Sequence, residues 1–428
     1  MSYGPPQGQP PWGGGHPPQG QGYGSPYPPQ GPPQHGGYPP AQGGYPPHQG
    51  GYGAPPQQFG GPPPPGGYGP PPGPPPGQQH MGGPPPQHGG YPPPAGGFPP
   101  QQYGPPPMPS PGYDPRAQAH GDASADADAL RAAMKGFGTD EKALIRILAK
   151  PDPLQMALLR NTYNQRHRRD LEKDIKSETS KYFRDGLVAL VRGPLMSDVH
   201  DVHDAIKGLG TKESTLNDVL LGRSNADMRA IKQAYHQTFH RTLEADVKGD
   251  LSLKTEQLFS MVMAATRNEE SAPVIPTDLD RDCADLHRAM DARIGTDQIT
   301  VCSILANRSD GQIRAINHHW QQKYHSSLEK VIESEFSGHM KDALLLMVRR
   351  ASDRIMSDAV QLEDAMAGFG TKDTLLVQRV VRVHWDRAHL DQVKRAYTHR
   401  FKKDLIQRVK GEIHTDKYYE ALMVACLS

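Results

Sequence analysis

Residues 134–139 read Met-Lys-Gly-Phe-Gly-Thr, and this glycine-rich turn recurs three more times in the 428-residue chain. The later copies are Ile-Lys-Gly-Leu-Gly-Thr at 206–211, Ala-Arg-Ile-Gly-Thr at 292–296 and Met-Ala-Gly-Phe-Gly-Thr at 366–371. Their Gly-Thr pairs begin at positions 138, 210, 295 and 370, so the spacings are 72, 85 and 75 residues. Self-similarity at such a period indicates a repeat architecture. The second part of the chain is therefore predicted to hold four copies of one unit.

The segments after each turn have patterns typical of helices rather than strands. Apolar residues follow the Gly-Thr pair at helical spacing, and a longer amphipathic segment comes next. The threonine stands where a helix N-cap is expected, and acidic residues follow it, as the positive end of a helix favours. The sequence predicts an all-α core with repeats at 119–193, 194–272, 273–350 and 351–428. The tyrosines at the centres of the long helical segments are Tyr163, Tyr235, Tyr324 and Tyr397.

Residues 1–118 differ in composition from the rest of the chain. All but five of the 46 prolines lie there, and no Asp, Glu, Lys or Arg precedes Asp114. A segment of Pro, Gly, Gln and Tyr with few aliphatic residues cannot bury enough apolar surface to offset the entropy of ordering. The sequence predicts a disordered tail with local polyproline II character.

Composition and missing motifs narrow the possible functions. The chain has 47 Lys and Arg against 46 Asp and Glu, which gives no net basic field for nucleic acid, so no nucleic-acid partner is expected. Three cysteines without a CxxC pair suit a reducing compartment, and neither a secretory signal nor a membrane span is recognisable, so a cytoplasmic location is expected. The sequence also lacks GxSxG, HExxH and a complete phosphate loop, so we do not expect an enzyme.

An acidic residue follows each glycine turn at a nearly constant distance. It lies 42 residues after the first glycine in the first two repeats, 42 after Arg293 in the third, and 44 after Gly368 in the fourth. Glycine allows positive φ, so the carbonyl oxygens of a turn can converge on one point. Calcium takes about six to eight oxygen ligands, which include backbone carbonyls and carboxylates. The four acids are Glu178, Asp250, Glu335 and Glu412.

At these residues the chain resembles the annexins, a family that binds phospholipids in a calcium-dependent way. The resemblance covers all four repeats, about 310 of 428 residues. It implies a curved α-helical disc of four five-helix repeats, with calcium loops on the convex face. It also implies that loop carbonyls and the distant acid hold calcium, while lipid phosphate completes the shell. The metal ligands so implied are Met134, Gly136, Gly138 and Glu178 in the first repeat, Ile206, Gly208, Gly210 and Asp250 in the second, Glu335 in the third, and Met366, Gly368, Gly370 and Glu412 in the fourth.

The repeats are not equal. The third has one extra residue in its turn, and Arg293 stands where a glycine is expected, so it is predicted to bind calcium weakly. Lys212 and Lys372 follow the Gly-Thr pair in the second and fourth repeats, and their positive charge is expected to weaken calcium binding there while favouring anionic headgroups. The longer spacing in the fourth repeat is assigned to a longer loop at 384–387. In addition, Asp198 and Arg223 match an ion pair of the family's central channel, for which a structural role is favoured.

One carboxylate per site predicts weak calcium binding in the absence of lipid. A lipid phosphate that binds together with calcium strengthens it reciprocally, and several sites then act together. The predicted function is the recruitment of a cytosolic protein to anionic phospholipid membranes by a rise in calcium. The alternative function is that of a scaffold that associates with itself or with other proteins through the tail. The tail repeats Gly-Tyr-Pro-Pro, and such segments support self-association or binding of protein partners. The tail also resembles those of the long-tailed, synexin-type annexins, which implies an interaction arm.

Overall fold

The part of the chain that can be described runs from residue 108 to residue 428. It comes from a computed structural model and leaves out residues 209, 252, 292–294 and 415. The tail up to residue 107 lies outside the described residues, and so do the disorder and polyproline II character predicted for it. Within the described residues every regular element is a helix, which confirms the predicted all-α class. No helix in this part of the chain is both long and apolar enough to cross a bilayer.

Nineteen helices cover the described part of the core, and they follow the repeats in order. Their bounds are α1 Ser124–Ala133, α2 Glu141–Leu148, α3 Pro153–His167, α4 Leu171–Glu178, α5 Lys181–Ile206, α6 Glu213–Leu220, α7 Asn225–Phe239, α8 Leu243–Asp250, α9 Leu253–Met263, α10 Pro276–Ala289, α11 Gln298–Asn307, α12 Asp310–Tyr324, α13 Leu328–Glu335, α14 Gly338–Ser352, α15 Arg354–Met366, α16 Asp373–His384, α17 Arg387–Phe401, α18 Leu405–Glu412 and α19 Lys417–Leu427.

Helix α5 joins the first repeat to the second and is broken in its middle. Gly193 has φ 73° and ψ 174°, which is not helical, and Pro194 follows it. Proline cannot donate the backbone hydrogen bond that would continue the helix, and glycine adopts this positive φ without strain. The two halves of α5 therefore count as separate helices, and each repeat contains five.

The repeats bury their apolar faces in two cores. One core combines residues of the first repeat, from Ala127 to Val191, with residues of the fourth, from Ala359 to Leu427. The other combines the second and third repeats, from Leu195 to Ala351, and also includes Tyr113. A fully buried aromatic residue stands at the eleventh position of the third helix in every repeat. These residues are Tyr163, Tyr235, Trp320 and Tyr397.

The third repeat differs here from the sequence prediction. Its central residue is Trp320, which is 1% exposed, whereas Tyr324 lies one turn later and is only partly buried. The prediction followed residue type, but α12 begins at Asp310, and counting from that start places the tryptophan at the buried position.

A buried polar network links repeats from both cores. Asp198 forms an ion pair with Arg223, with 2.6 Å between Oδ2 and Nη2, so the predicted ion pair is present. It also pairs with Arg382 of the fourth repeat at 3.1 Å, and Arg379 pairs with Asp218 at 2.7 Å. Buried charges are costly unless they are paired and hydrogen-bonded. The network therefore fixes how the second repeat meets the fourth.

Within residues 108–118, which the sequence assigns to the tail, Tyr113 is buried and contacts this network. The Tyr113 hydroxyl donates to Asp198 and accepts from Arg223 Nη1 at 2.6 Å, and burial raises the pKa of Tyr113. Ser110 donates twice to Asp227, each time at 2.7 Å. Gly112 has φ 82°, and a Cβ there would lie 2.5 Å from Pro194. The contacts of the core therefore begin before residue 119.

Replacing Tyr113 with Phe should lower the free energy of unfolding by about 1–3 kcal/mol, because buried charged groups lose a hydrogen-bond partner. Urea denaturation of the purified chain measures the change. Tyr182 is 38% exposed and provides the matched control, since Tyr182→Phe should leave the unfolding free energy within about 0.5 kcal/mol of the original. Equal losses in the two variants would contradict the role given to Tyr113.

Candidate metal sites in the four glycine turns

The threonine of each Gly-Thr pair joins its turn to the distant acid. In every repeat the Oγ1 hydroxyl donates to the acid's carboxylate, across 39 residues in the first three repeats and 41 in the fourth. The structure thus brings together each turn and its acid, which are far apart in sequence. The four contacts are Thr139 to Glu178 at 3.2 Å, Thr211 to Asp250, Thr296 to Glu335 at 2.9 Å and Thr371 to Glu412 at 2.9 Å.

The threonines do not cap the helices that follow, so the capping prediction is wrong. The N-cap is the next residue in each repeat, and the two aspartates among these caps accept a backbone hydrogen bond three residues on. The two lysines have no acceptor with which to do so. The threonine hydroxyl therefore bonds to the acid instead. The N-caps are Asp140, Lys212, Asp297 and Lys372.

The backbone of the turns explains their glycines. Gly136 and Gly138 have φ values of 111° and 83°, and the glycine pairs of the second and fourth turns lie between 82° and 121°. A Cβ on any of these six glycines would meet nothing within 4 Å. The left-handed backbone, rather than crowding, is what requires glycine here.

The third turn is one residue longer than the others. In the first turn, Asp140 N donates to the carbonyl of Ala133, seven residues earlier, and the second and fourth turns repeat this pattern. In the third, Asp297 N donates to the carbonyl of Ala289, eight residues earlier, which confirms the predicted extra residue. Arg293 lies outside the described residues, as do positions 292 and 294. Gly295 has φ 90° and Thr296 still contacts Glu335, so this turn keeps its link to the acid.

The donor set fits a hard cation held mainly by the backbone. Among the described residues, no group of three or more His, Cys, Asp or Glu side chains converges as in a side-chain metal centre. Each turn has one carboxylate held against its threonine. A calcium ion bound there would take most of its protein oxygens from the backbone.

Comparison with known proteins agrees with this arrangement of turns and helices. The sequence model of the family described as Annexin matches residues 125–190, 197–262, 281–347 and 357–425. The chain belongs to the annexin family. Each match covers one set of five helices, so the predicted family and its fourfold repetition are confirmed.

Two relatives and one solved structure show the extent of the similarity. Annexin C1 of Cryptococcus neoformans var. grubii serotype A is 40% identical over 306 residues, which are 71% of this chain and 64% of that protein. Annexin A11 of Homo sapiens is 34% identical over 305 residues, which are 71% of this chain and 60% of that protein. The chain therefore covers less than two thirds of either relative. The calcium-bound annexin (Sm)1 structure matches with a TM-score of 0.63 at 27% identity, covering 73% of this chain and 92% of that one.

In this annexin, two turns present fully exposed phenylalanines. Phe137 in the first turn and Phe369 in the fourth have relative exposures of 113% and 112%. Each stands between two glycines of positive φ, and neither belongs to either core. Sequence reasoning missed them, although an aromatic residue flanked by glycines was a visible signal. An aromatic side chain held in this way is available to an apolar phase outside the protein.

The turns of the second and fourth repeats border one depression of about 510 Å³. Thr211 and Thr371 line it, together with Lys212 and Lys372, which are both exposed. The two lysines predicted beside these sites therefore share one depression, whose lining also includes Glu213 and Asp373.

The fourth repeat of this annexin has an arginine at its acid. Arg408 Nη1 donates to Glu412 Oε1, and Nη2 donates to the carbonyl of Met366 at 2.9 Å. Nε donates to Glu363 at 3.4 Å. Burial lowers the pKa of Arg408, but its hydrogen bonds to the two carboxylates outweigh this and hold the pKa above its ordinary value. Sequence reasoning missed this residue, although the same position holds Asp174 and Asp246 in the first two repeats.

The longer spacing in the fourth repeat comes from a longer helix. Helix α16 has 12 residues, against 8 in α2 and in α6, and only Trp385 and Asp386 separate it from α17. The predicted longer loop at 384–387 is wrong, although the extra residues do lie there. The segment before His384 is rich in valine and contains neither glycine nor proline, so nothing stops the helix earlier.

Proposed function

We propose that this annexin binds anionic phospholipid membranes when calcium rises. The turn carbonyls and the acid beside them would hold calcium, which supplies a positive centre for a lipid phosphate. The family is generally known for calcium-dependent phospholipid binding, and the similar annexin (Sm)1 structure is calcium-bound. The proposed ligands are Met134, Gly136, Gly138 and Glu178, then Ile206, Gly208, Gly210 and Asp250, then Glu335, and finally Met366, Gly368, Gly370 and Glu412.

One observation carries the proposal: the threonine–carboxylate contact recurs in all four repeats. The threonine takes one carboxylate oxygen and holds the acid against its turn. In the first two repeats, no described side chain donates to the second oxygen of Glu178 or Asp250, which is left for a cation. A turn that only connected two helices would not require a carboxylate bonded to its threonine in each of the four repeats.

The number of charged ligands at each site determines its calcium affinity and its dependence on lipid. One carboxylate per site places calcium affinity without lipid near the weak end, roughly 10⁻⁴–10⁻³ M. Lipid phosphate and calcium then strengthen each other's binding by the same factor. Several such turns acting together make attachment steeper than any single site allows. Lys212 and Lys372 add attraction for acidic headgroups.

The proposal places this annexin in the cytoplasm at rest and peripherally on membranes when calcium rises. Residues 1–107 would then serve as an arm for protein partners or self-association. If the core did not bind lipid, the tail-driven scaffold would become the better account.

Sedimentation with phosphatidylserine vesicles across a calcium titration tests the proposal. We expect the full chain to pellet with calcium and to return to the supernatant when a chelator is added, while pure phosphatidylcholine vesicles leave it in solution. A chain starting at residue 108 keeps Ser110 and Tyr113 and should still bind, whereas any vesicle clustering that the tail drives should fall. No pelleting at millimolar calcium would overturn the proposal.

A further inference from the structure

The proposed site of the fourth repeat already contains a cation that belongs to the chain. Two of its proposed ligands, the Glu412 carboxylate and the Met366 carbonyl, both accept hydrogen bonds from the guanidinium of Arg408. Arg408 is 17% exposed and Glu412 is 20% exposed, so water screens this pair only in part. A planar guanidinium with several donors suits two acceptors that lie on one side of it.

The first and second repeats lack this arrangement. The position four residues before the acid holds Asp174 in the first repeat, and its carboxylate accepts from Tyr163 and Arg169. The second repeat repeats the pattern with Asp246, which accepts from Tyr235 and Arg241. Among the residues that the structure describes, no cationic side chain pairs with Glu178 or Asp250.

A reversed charge pair explains how the arginine came to reach the site. In the first repeat, Arg131 lies 3.9 Å from Asp174. The same two positions in the fourth repeat hold Glu363 and Arg408, which lie 3.4 Å apart. The acidic and basic residues have exchanged positions, so an ion pair is kept in the fourth repeat. The arginine is now on α18, the helix that ends at Glu412. Residues four apart on a helix are neighbours, so Arg408 also contacts Glu412.

We infer that Arg408 is an internal competitor for calcium in the fourth repeat, and this inference rests on the proposed function. Calcium would bind there only when the guanidinium leaves Glu412 and the Met366 carbonyl. Glu363 remains as its partner in either state, so the displaced cation is not left unpaired. The fourth turn would therefore fill at a higher calcium concentration than the first and second, and membrane attachment would proceed in two stages.

Direct calcium binding without lipid tests the inference, because it does not depend on membrane attachment. The test uses a full-length chain in which Glu178→Gln, Asp250→Asn and Glu335→Gln leave Glu412 as the remaining acid of the four. Equilibrium dialysis against calcium up to about 10 mM covers the weak range expected of such a site. Adding Arg408→Gln should tighten binding on the order of tenfold, since a charge-assisted bond no longer competes.

The matched control is Lys410→Gln, which removes a positive charge from the same helix. Lys410 is exposed and two residues away, so this variant should change affinity less than about twofold. A second variant tests the same inference in case Arg408→Gln misfolds. In it, Glu363→Arg with Arg408→Asp reproduces the charges of the first repeat and keeps an ion pair between the two positions. It should gain affinity as Arg408→Gln does.

Two results would overturn the inference. One is equal calcium affinity with and without Arg408 while both chains keep the same thermal transition. The other is a similar gain from Lys410→Gln, which would assign the effect to general charge. Failure of the full chain to pellet with vesicles, combined with a tenfold gain in dialysis, would reject the membrane proposal and leave the role of Arg408 intact.

Discussion

Replacing Glu178 with Gln and Asp250 with Asn in one chain should raise the calcium needed for half-maximal vesicle binding by roughly tenfold to a hundredfold. Each change removes the carboxylate from a turn where no described cation competes for it. The amide side chains keep an oxygen that can accept from Thr139 or Thr211, so the turns should stay in place. The loss is large because attachment depends on several sites acting together. Sedimentation with phosphatidylserine vesicles across a calcium titration measures it.

A matched control removes two negative charges near the same turns without touching the threonine contacts. Glu141 and Glu213 begin the helices that follow these turns, so Glu141→Gln with Glu213→Gln serves this purpose. We expect less than about a threefold change in the control, because Glu141 and Glu213 have no contact with the threonines or the four acids and water and salt screen charges that lie at the surface. An unchanged calcium requirement in the Glu178 and Asp250 variant, with folding intact, would refute the assignment of these acids.

Replacing Phe137 and Phe369 with Ala should weaken membrane binding at saturating calcium while leaving the fold as stable as before. Burying a phenylalanine side chain contributes about 1.5–3 kcal/mol, so losing both should reduce partitioning into vesicles by at least about a hundredfold. Both side chains are fully exposed in the free protein, so their removal leaves no cavity in either core. Vesicle partitioning at fixed calcium and thermal melting together provide the measurement.

An exposed valine away from the turns provides the comparison. Val274 lies between α9 and α10 and is 46% exposed, so Val274→Ala removes apolar surface without altering a turn. Its partitioning should match that of the unchanged chain. If Phe137→Ala with Phe369→Ala also matched it, the phenylalanines would have no contact with the bilayer. A fall in melting temperature would instead show that they stabilise the folded chain.

The fold class and the pairing of turns with acids could be predicted because the motifs that indicate them repeat at regular spacings along the sequence. A Gly-Thr pair and an acid about 40 residues later recur in all four repeats. The helical spacing of apolar residues can likewise be recognised without knowing which elements pack together. The extra residue in the third turn was visible in the same way. These features depend on order along the chain, which is what a single sequence contains.

Other features depend on what lies nearby in space. A threonine before a helix can cap it or bond elsewhere, and only the position of Glu178 beside Thr139 decides between the two. Arg408 looks like any charged residue on a helix face until Glu363, 45 residues away, is seen to be its partner. The position of Trp320 required the start of α12, and helix starts are poorly fixed by composition.

The attachment of residues 108–118 has a mechanical consequence. Tension carried along the preceding residues would enter the core at Ser110 and Tyr113, which bond to Asp227, Asp198 and Arg223. Asp198 also pairs with Arg382 of the fourth repeat, so the force would be applied where the two cores meet, not at the outer surface of one repeat. A pull strong enough to extract Tyr113 would remove a partner from buried charges before it unfolded any helix. The first step in a force–extension trace should therefore be short, and the Tyr113→Phe variant should yield at lower force.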